Sequence, residues 1–348
     1  MKDKLKLKDL GEKEIIRSII KPLFNPDNVL GLVGDDCAVV DISKQKFVCL
    51  STDRVPADLI SFKLGLINYF ELGYYSAILN ISDLLANGAT PVGLLLTFAF
   101  NEDFLVADFR NILNGIKKAC DEYGCQVLGG DLSNSLEMNI SITSMGTIIG
   151  DKVLYRKGAK VGDYLYCSNY IGLTSSAFNY FLKAKPEGFI LSKAEESILV
   201  DQFKKPKAKF KLSKELLNSN FQITSMDNTD GIGQSFMELA EINQLKYELQ
   251  RELLPIHDVS FKIAEFLELD VLEIALGGGA DFQLVGTIEK NSTTDFIHRT
   301  ISSEITIVGQ TFEGKGLWIK EKTGKSYEYN KPGWDYYSPV TEQIKGRV

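Results

Sequence analysis

The amino-acid sequence predicts an α/β protein built from two domains. Segments with apolar residues at helical spacing alternate along the chain with short apolar runs of strand length, which is the pattern of mixed α/β folds. At 348 residues and 44% hydrophobic, the chain is long enough for a large core. Polar, glycine-bearing connectors occupy residues 150–162, so we place an N-terminal domain at 1–150 and a C-terminal domain at 151–348.

One predicted helix, which begins near Asn68, carries a row of polar side chains in its last turns. Apolar residues recur along this helix at helical spacing, so most of it should be buried. Asn80, Asp83 and Asn87 nevertheless lie at i, i+3 and i+7, which places them on one face. Buried amide and carboxylate groups need partners, because burying them unpaired is costly. The row therefore predicts contact with water, a metal ion or a polar ligand.

The other elements follow from periodicity and from the positions of glycine and proline. In the N-terminal domain we predict a helix at 12–23, strands at 47–50 and 92–100, a helix at 104–123, and strands at 126–128 and 138–149. In the C-terminal domain we predict a strand at 164–167, helices at 173–182, 193–203 and 208–217, a strand at 223–226 and a helix at 232–242. A flexible, glycine-rich loop at 276–281 and strands at 282–287, 305–308 and 317–319 follow. Both domains therefore mix helices with strands.

Charge and hydropathy exclude several classes of protein. The net charge of −7 and the pI of about 5.2 exclude a general nucleic-acid binder, which would need a basic face. No apolar run approaches the roughly 18–20 residues of a membrane span. The charged start, Met1 to Lys6, lacks the apolar core of a signal peptide. We therefore expect a cytoplasmic protein with no membrane or nucleic-acid partner.

Cysteine and histidine usage narrows the chemistry further. The odd, scattered set of cysteines predicts free thiols in a reducing compartment; they are Cys37, Cys49, Cys120, Cys125 and Cys167. Zinc is not expected, because the one close pair has the wrong spacing and no histidine nearby. The two histidines, His257 and His298, lie far from every acidic motif. The sequence therefore does not favour a Ser-His-Asp or Cys-His enzyme.

Aspartates recur beside glycines and after apolar runs. Capping or turn formation explains each of them taken alone. Together they favour a ligand site. Open α/β sheets bind ligands at the carboxyl ends of strands, where we expect Asp53, Asp131 and Asp227 to lie, and clustered carboxylates repel one another without cations. Oxygen ligands of this kind suit Mg²⁺ together with phosphates, and the neighbouring glycines permit close approach of phosphate to backbone. The residues are Asp35, Asp36, Asp53, Asp83, Asp131, Asp227 and Asp230.

Neither a P-loop nor a Gly-x-Gly-x-x-Gly motif is present. Six other motifs follow one another along the chain: Gly34–Ala38, Ser51–Asp53, Asn80–Pro91, Gly129–Asp131, Arg156–Asp163 and Met226–Gly231. Their order resembles that of a known family, the thiamine-monophosphate kinases, which belong to the aminoimidazole-ribonucleotide-synthase superfamily of ATP-using enzymes. The similarity runs from about Gly34 to the tail at Gly333–Tyr337.

The resemblance implies an aminoimidazole-ribonucleotide-synthase-like fold and a kinase that uses ATP and Mg²⁺ on a small molecule. The N-terminal α/β domain would bind ATP and Mg²⁺ and would form a homodimer in which strands of two subunits build a shared barrel. The C-terminal α/β domain would close over the nucleotide. Phosphoryl transfer of this kind needs positioning and charge neutralisation more than covalent chemistry, and metal ions with an arginine supply both.

The resemblance also implies roles for individual residues. Mg²⁺ would be bound by Asp36, Ser51, Thr52, Asp53, Asp83, Asp131, Asp227 and Asp230. ATP would be contacted by Gly130, Asp131, Arg156 and Thr229. The groups most directly involved in catalysis would be Asp83, Asp227, Asp230 and Arg156. The substrate side would be formed by the positions of Ile60, Ala280 and Tyr337.

Two departures from the family concern the substrate. The family has a histidine where this chain has Ile60, and a substrate-facing glutamate where it has Ala280. These changes predict a roomier, less polar acceptor pocket and favour a changed substrate, unless neighbours such as Asp58, Gln283 or Tyr337 replace the lost contacts.

Three hypotheses follow. The first is a phosphotransferase of the thiamine-monophosphate-kinase type, acting on thiamine monophosphate or on another small acceptor. The second is a different ATP-using chemistry, in which a carbonyl or amide oxygen is activated for cyclisation or amine attack. The third is a non-catalytic nucleotide-binding protein, which the retention of nearly all the metal-site aspartates disfavours.

Overall fold

The structure, a computed structural model, describes residues 9–10, 12–20, 29–30, 35–56, 59–290, 294, 297, 301 and 304–331. Up to residue 150 its strands and helices alternate, as the sequence predicts. The elements are α1 (Glu12–Ile15, continued as a π-helix over Ile16–Ile20), β1 (Val29–Leu30), β2 (Ala38–Ser43), β3 (Lys46–Arg54), α2 (Ile60–Lys63), α3 (Tyr69–Ala86), β4 (Thr90–Phe100), α4 (Val106–Tyr123), β5 (Gln126–Asn134) and β6 (Asn139–Ile149).

The strands of this first part form one sheet in the order β1-β2-β3-β6-β4-β5. Its pairs are antiparallel except for β4 with β5, which are parallel. Side chains of β6 alternate between buried and half-buried along almost the whole strand, so the predicted period of two is confirmed. β5 forms an edge of the sheet, and all nine of its residues are exposed.

Helix α3 begins as the sequence predicts. The side chain of Asn68 accepts hydrogen bonds from the backbone N–H groups of Phe70 and Glu71, and the Glu71 carboxylate accepts one from the Asn68 N–H. This reciprocal capping box satisfies donors that the first helical turn leaves unpaired. From Leu72 to Ala86 nearly every residue is buried, so the polar row lies inside the protein.

The elements after residue 150 are β7 (Tyr164–Ser168), α5 (Leu173–Asn179, continued as a π-helix over Tyr180–Ala184), α6 (Lys193–Lys204), α7 (Phe210–Asn218), β8 (Ile223–Asp227), α8 (Ile232–Asn243), β9 (Lys246–Gln250), a 3₁₀ turn (Arg251–Leu253), α9 (Asp258–Phe266), α10 (Val271–Ala275), β10 (Leu284–Ile288), β11 (Ile305–Phe312), β12 (Gly316–Lys320) and β13 (Ser326–Glu328). Their strands form a second sheet in the order β13-β12-β9-β11-β7-β10-β8. Its described pairs are antiparallel except for β9 with β12, which are parallel.

The two sheets lie on either side of residue 150, the boundary predicted between the domains, and the division into two domains itself remains a prediction. Contacts cross this boundary. The Asn87 side chain donates to the Leu154 carbonyl at 2.7 Å, and the Leu154 N–H donates back to the Asn87 carbonyl at 3.1 Å. Ser213 of α7 donates to the Leu85 carbonyl at 2.6 Å. Among the described helices, none combines the length and the apolar character needed to cross a membrane.

The predicted strand at 126–128 is wrong in its extent. β5 continues to Asn134, so the Gly129-Gly130-Asp131 motif lies inside an edge strand and not in a loop after it. The register shifts by one residue beside Gly129, where β5 pairs with β4, and Gly129 has a φ of +155°. A glycine-rich, fully exposed strand has no apolar alternation, so periodicity could not reveal it. The elements β1, β2, α2, β9, α9, α10 and β13 were not predicted from the sequence.

Candidate active site

Three aspartates from three different elements converge on one point. Asp36 precedes β2, Asp83 lies in the last turn of α3, and Asp227 ends β8. One carboxylate oxygen from each lies within 4.8 Å of the others. All three residues are buried, with 7%, 7% and 2% of their surface exposed. Because buried like charges repel one another, this arrangement calls for a cation.

The polar row on α3 explains how strand β3 reaches the cluster. The Asn80 side-chain oxygen accepts the Asp53 backbone N–H at 3.0 Å, and Asp83 accepts the Ser51 hydroxyl at 2.5 Å. The row has partners, but those of Asn80 and Asn87 are backbone groups of the chain itself. The predicted contact with water, a metal ion or a polar ligand stays a prediction. Asn80 fixes β3, Asp83 faces the carboxylate cluster, and Asn87 binds the segment after residue 150 through Leu154.

Strand β8 delivers Asp227 into the cluster from the second sheet. All five residues of β8 are buried, and Asp227 Oδ2 has no hydrogen-bond partner among the described residues. The next residue, Asn228, is held by the segment that precedes β10. Its N–H donates to the Gln283 carbonyl, and its carbonyl accepts the Phe282 N–H. A buried carboxylate oxygen without a donor is a site where a cation fits.

Burial and mutual repulsion raise the pKa of several carboxyl groups here. Burial, followed by the charges of Asp227 and Asp53, raises the pKa of Asp83 well above its usual value. Burial and the Asp36 charge also raise the pKa of Asp227 well above its usual value, although a hydrogen bond from Ser82 acts in the opposite direction. The pKa of Asp53 is also raised, chiefly by burial.

Asp35 lies beside the cluster and has a pKa raised to about 7 by burial and by the Asp36 charge. Within the part of the chain that the structure describes, its Oδ2 also lacks a hydrogen-bond partner. Ionising all these groups together is therefore unfavourable unless positive charge is nearby.

Arg156 supplies positive charge from the segment between the two sheets. Its Nη2 donates to Asp36 Oδ1 at 2.5 Å, and its Nη1 donates to Glu238 Oε2 at 3.3 Å. Burial disfavours the guanidinium charge, but Asp36, Glu238 and Asp35 outweigh this effect and raise the pKa of Arg156 above its ordinary value. Sequence reasoning identified Arg156 but missed Glu238 on α8, because a lone glutamate in an amphipathic helix carries no signal.

The donor set fits Mg²⁺. Mg²⁺ prefers hard oxygen ligands and usually takes a few carboxylates together with substrate phosphates. Asp36, Asp83 and Asp227 offer converging carboxylates, and Asp53 and Ser51 lie beside them through their contacts with α3. These five residues would bind the ion.

The structure does not bring every predicted site residue to the cluster. The Thr52 hydroxyl donates to the Ile142 carbonyl of β6 at 3.2 Å. Gly130 and Asp131 lie in the middle of exposed β5, and Thr229 and Asp230 are half-buried in the loop after β8. The roles assigned to these five residues remain predictions.

The substrate-side positions lie in three different settings. Ile60, the first residue of α2, is only 4% exposed. Ala280 is half-buried in the Gly277–Asp281 segment, where its carbonyl accepts the Thr174 hydroxyl at 3.0 Å. Tyr337, together with the tail motif at 333–337, lies outside the described residues, as do Gly34 and Asp58. Their substrate roles remain predictions.

The expectation that Asp53, Asp131 and Asp227 all end strands of an open sheet is wrong in detail. Asp227 is the last residue of β8, but Asp53 is followed by Arg54 within β3, and Asp131 lies at the centre of β5. Both sheets are mostly antiparallel, so the rule for parallel sheets does not locate this site. The cluster instead forms where α3 of the first part meets β8 of the second.

The glycine loop at 277–279 is fixed between α5 and the loop that follows Asp227. Asp281, buried, accepts the N–H groups of Gly172 and Thr174 at 2.7 and 2.8 Å. The next residue, Phe282, is fully buried at a φ of +51°, a left-handed conformation that is uncommon for a non-glycine residue. The sequence prediction of a flexible loop missed these contacts.

Gly231→Ala is expected to lower the free energy of unfolding by roughly 3 kcal/mol. Gly231 has a φ of +101°, and a Cβ there would overlap the backbone of Gly277 and Gly278. Gly124→Ala is the matched control, because Gly124 also has a positive φ, of +69°, but open space around it, so the loss there should be about 1 kcal/mol. Urea denaturation measures both, and equal losses would show that the two loops are not packed together as described.

Comparison with known proteins gives a consistent result. Residues 34–150 match the family model for the AIR synthase related protein, N-terminal domain. The chain is 29% identical to the thiamine-monophosphate kinase of Aquifex aeolicus over 96% of this chain and all of that protein. It is 27% identical to the thiamine-monophosphate kinase of Pyrococcus horikoshii over 94% of this chain and 96% of that one.

A solved structure agrees with these relatives. The structure of AaThiL complexed with AMPPCP and TMP superposes with a TM-score of 0.80 at 27% identity, covering 96% of this chain and 99% of that one. The predicted fold class, a mixed α/β aminoimidazole-ribonucleotide-synthase-like fold, is thereby confirmed.

Proposed function

Because the chain belongs to the thiamine-monophosphate kinase family, we propose that it is an ATP- and Mg²⁺-dependent kinase that converts thiamine monophosphate and ATP to thiamine diphosphate and ADP. The observation that carries this proposal is the convergence of Asp36, Asp83 and Asp227 within 4.8 Å. Three buried aspartates from separate elements have no structural use that a neutral residue would not serve at lower cost. They do suit a site for metal-bound phosphates.

In this proposal the chain's own residues position the reactants. Bound Mg²⁺ supplies positive charge to the phosphates. Ser51 donates to Asp83 and so orients its carboxylate, while Asn80 fixes the backbone of β3 at Asp53. By the family resemblance, Arg156, Thr229, Gly130 and Asp131 would contact ATP. Further metal ligands would come from Thr52, Asp131 and Asp230, which lie outside the three converging carboxylates. The N-terminal domain would bind the nucleotide and the C-terminal domain would close over it.

Two residues at the predicted acceptor site, Ile60 and Ala280, differ from those of the family. Ala280 offers no carboxylate to the cationic thiazolium ring of thiamine, and Ile60 offers no hydrogen bond. These departures favour a second candidate, a kinase of the same type that acts on another small acceptor. Gln283 does not replace the lost group towards a ligand, because its side-chain oxygen accepts the buried Ser168 hydroxyl at 2.8 Å.

Steady-state assay with ATP, Mg²⁺ and thiamine monophosphate tests the proposal. We expect thiamine diphosphate and ADP in equal amounts. ADP with free phosphate and a cyclised product would instead indicate the other ATP-using chemistry, and the absence of turnover with any acceptor would indicate a binding protein.

Ala280→Glu should raise kcat/KM for thiamine monophosphate roughly tenfold, since it restores a charge facing a cation. No gain would place the specificity elsewhere.

We also propose that the protein is a cytoplasmic homodimer. Strand β5 lies at a sheet edge with all nine residues exposed, and its Val127, Leu128 and Leu132 are 47–61% exposed. An edge strand of this length that exposes apolar side chains is open to pairing with another chain. The five cysteines are all free, which suits a reducing cytoplasm.

Leu132→Glu should convert the dimer to a monomer at micromolar concentration in sedimentation-velocity experiments. A charge placed at a buried interface typically weakens association by several orders of magnitude. Ile190→Glu is the control, because Ile190 is also exposed, at 83%, but lies between α5 and α6 and outside the first sheet. A dimer that survives Leu132→Glu, or a monomeric wild type, would contradict the proposed interface.

A further inference from the structure

Arg156 contacts two carboxylates that lie on different elements. Its Nη2 and Nε donate to the two oxygens of Asp36, at 2.5 and 3.3 Å, while its Nη1 donates to Glu238 at 3.3 Å. Asp36 belongs at the same time to the cluster with Asp83 and Asp227. The guanidinium therefore already neutralises one of the carboxylates that a divalent cation would bind.

Glu238 lies outside every motif identified in the sequence. It is on α8, one turn after Gln234, whose side-chain amide donates to Glu238 Oε1 at 3.3 Å. The side chains of Arg156 and Glu238 are only 15% and 20% exposed, so water screens their attraction weakly. Because an arginine stays protonated in proteins, its charge cannot be removed and can only be shared between the available carboxylates.

We propose that Arg156 is a built-in counter-cation of the aspartate cluster and that Glu238 is the positioning residue that takes it over when a divalent cation binds Asp36. This inference rests on the proposed function, because it assumes that the cluster binds Mg²⁺. A divalent cation and a guanidinium on the same carboxylate repel each other, and the ion pair with Glu238 lowers the energy of the displaced arginine. The displaced guanidinium is then available to the phosphates of ATP.

The proposal gives opposite expectations for the two residues. Arg156→Gln removes the competing cation, so Mg²⁺ should bind about tenfold more tightly in the absence of nucleotide. Glu238→Gln removes the alternative partner and leaves Arg156 on Asp36, so Mg²⁺ should bind roughly three- to tenfold more weakly. A purely structural role for these residues would lower thermal stability without moving Mg²⁺ affinity in opposite directions.

Isothermal titration with MgCl₂ at pH 8, without nucleotide, measures these affinities directly. Glu241→Gln is the matched control, because Glu241 lies on the same helix, loses the same charge, is exposed and forms its ion pair with Arg17. Its Mg²⁺ affinity should equal that of the wild type. In a second titration with the non-hydrolysable analogue AMPPCP at saturating Mg²⁺, Arg156→Gln should bind the nucleotide at least tenfold more weakly despite its tighter metal site.

The outcomes separate this inference from the proposed function. Mg²⁺ affinity that does not rise in Arg156→Gln, or does not fall in Glu238→Gln, overturns the inference. A wild-type protein that binds no Mg²⁺ overturns the proposed metal site itself. If thermal unfolding shows that Arg156→Gln is not folded, Glu238→Gln compared with Glu241→Gln decides the question alone.

Discussion

Replacing Asp83 with Asn is expected to lower turnover by about a thousandfold while leaving the fold intact. The carboxylate of Asp83 converges with those of Asp36 and Asp227, and an amide of the same size would remove its charge from the site. Metal-assisted stabilisation of phosphoryl transfer is worth several kcal/mol, and each 1.36 kcal/mol corresponds to a factor of ten in rate.

The stability of the Asp83→Asn protein separates this explanation from a structural role. Asp83 lies inside α3 and caps nothing, and its neighbours Asp227 and Asp53 repel its charge. Thermal unfolding in EDTA should therefore show a midpoint equal to or above that of the wild type. Asp121→Asn is the control, because Asp121 is an exposed carboxylate on α4. This change should alter neither turnover nor the unfolding midpoint. Turnover within a few-fold of wild type would show that the cluster is not the active site.

The second large effect concerns pH and metal removal. In EDTA, the melting temperature should fall by about 5 °C or more between pH 4 and pH 7, because of the raised pKa values in the cluster. A carboxyl group whose pKa is higher in the folded protein than in the unfolded chain contributes stability that is present below pH 4 and is lost as the pH rises through the raised pKa. Asp35, with a pKa of about 7, loses its contribution as the pH rises from about 4 to 7, and the pKa values of Asp83 and Asp227 are raised in the same direction.

Mg²⁺ should reverse that trend, because it binds the ionised carboxylates and competes with protons. The difference in melting temperature between Mg²⁺ and EDTA should therefore be small near pH 5 and should grow steadily toward pH 8. Differential scanning calorimetry at four or five pH values measures it. The Asp83→Asn protein should show a shallower slope in EDTA, since one of the raised groups is gone. A wild-type melting temperature that rises with pH in EDTA would contradict the charges assigned to this site.

The helix at the centre of this site could be predicted in detail. Asn68 is followed three residues later by Glu71, which is the pattern of a capping box, and the row Asn80, Asp83 and Asn87 follows from helical geometry alone. The need of these buried groups for partners could be predicted as well. The identity of the partners could not, because the Asp53 backbone, Ser51 and Leu154 are distant in sequence, and one chain carries no information on such pairs.

Other residues near the site could not be placed from the sequence, each for a different reason. Glu238 has no motif around it, and its role depends on where Arg156 points, which is a matter of tertiary packing. Gly130 and Asp131 were placed in a loop because edge strand β5 lacks the alternation by which strands are recognised. Asp281 was noticed only as part of a glycine-rich loop, although its carboxylate joins that loop to the start of α5 through two backbone hydrogen bonds.

The position of the cluster has a mechanical consequence. Asp36 and Asp83 belong to the part of the chain that builds the first sheet, whereas Asp227 ends a strand of the second. An ion bound to all three would act as a reversible cross-link that closes the long loop of chain between Asp83 and Asp227, and cross-links that close long loops restrict the unfolded ensemble the most. Amide hydrogen exchange in α3 and β8 would then slow on loading the ion, since opening either element would require its release. The same ligands would thereby govern both the chemistry and the rate at which the two sheets separate.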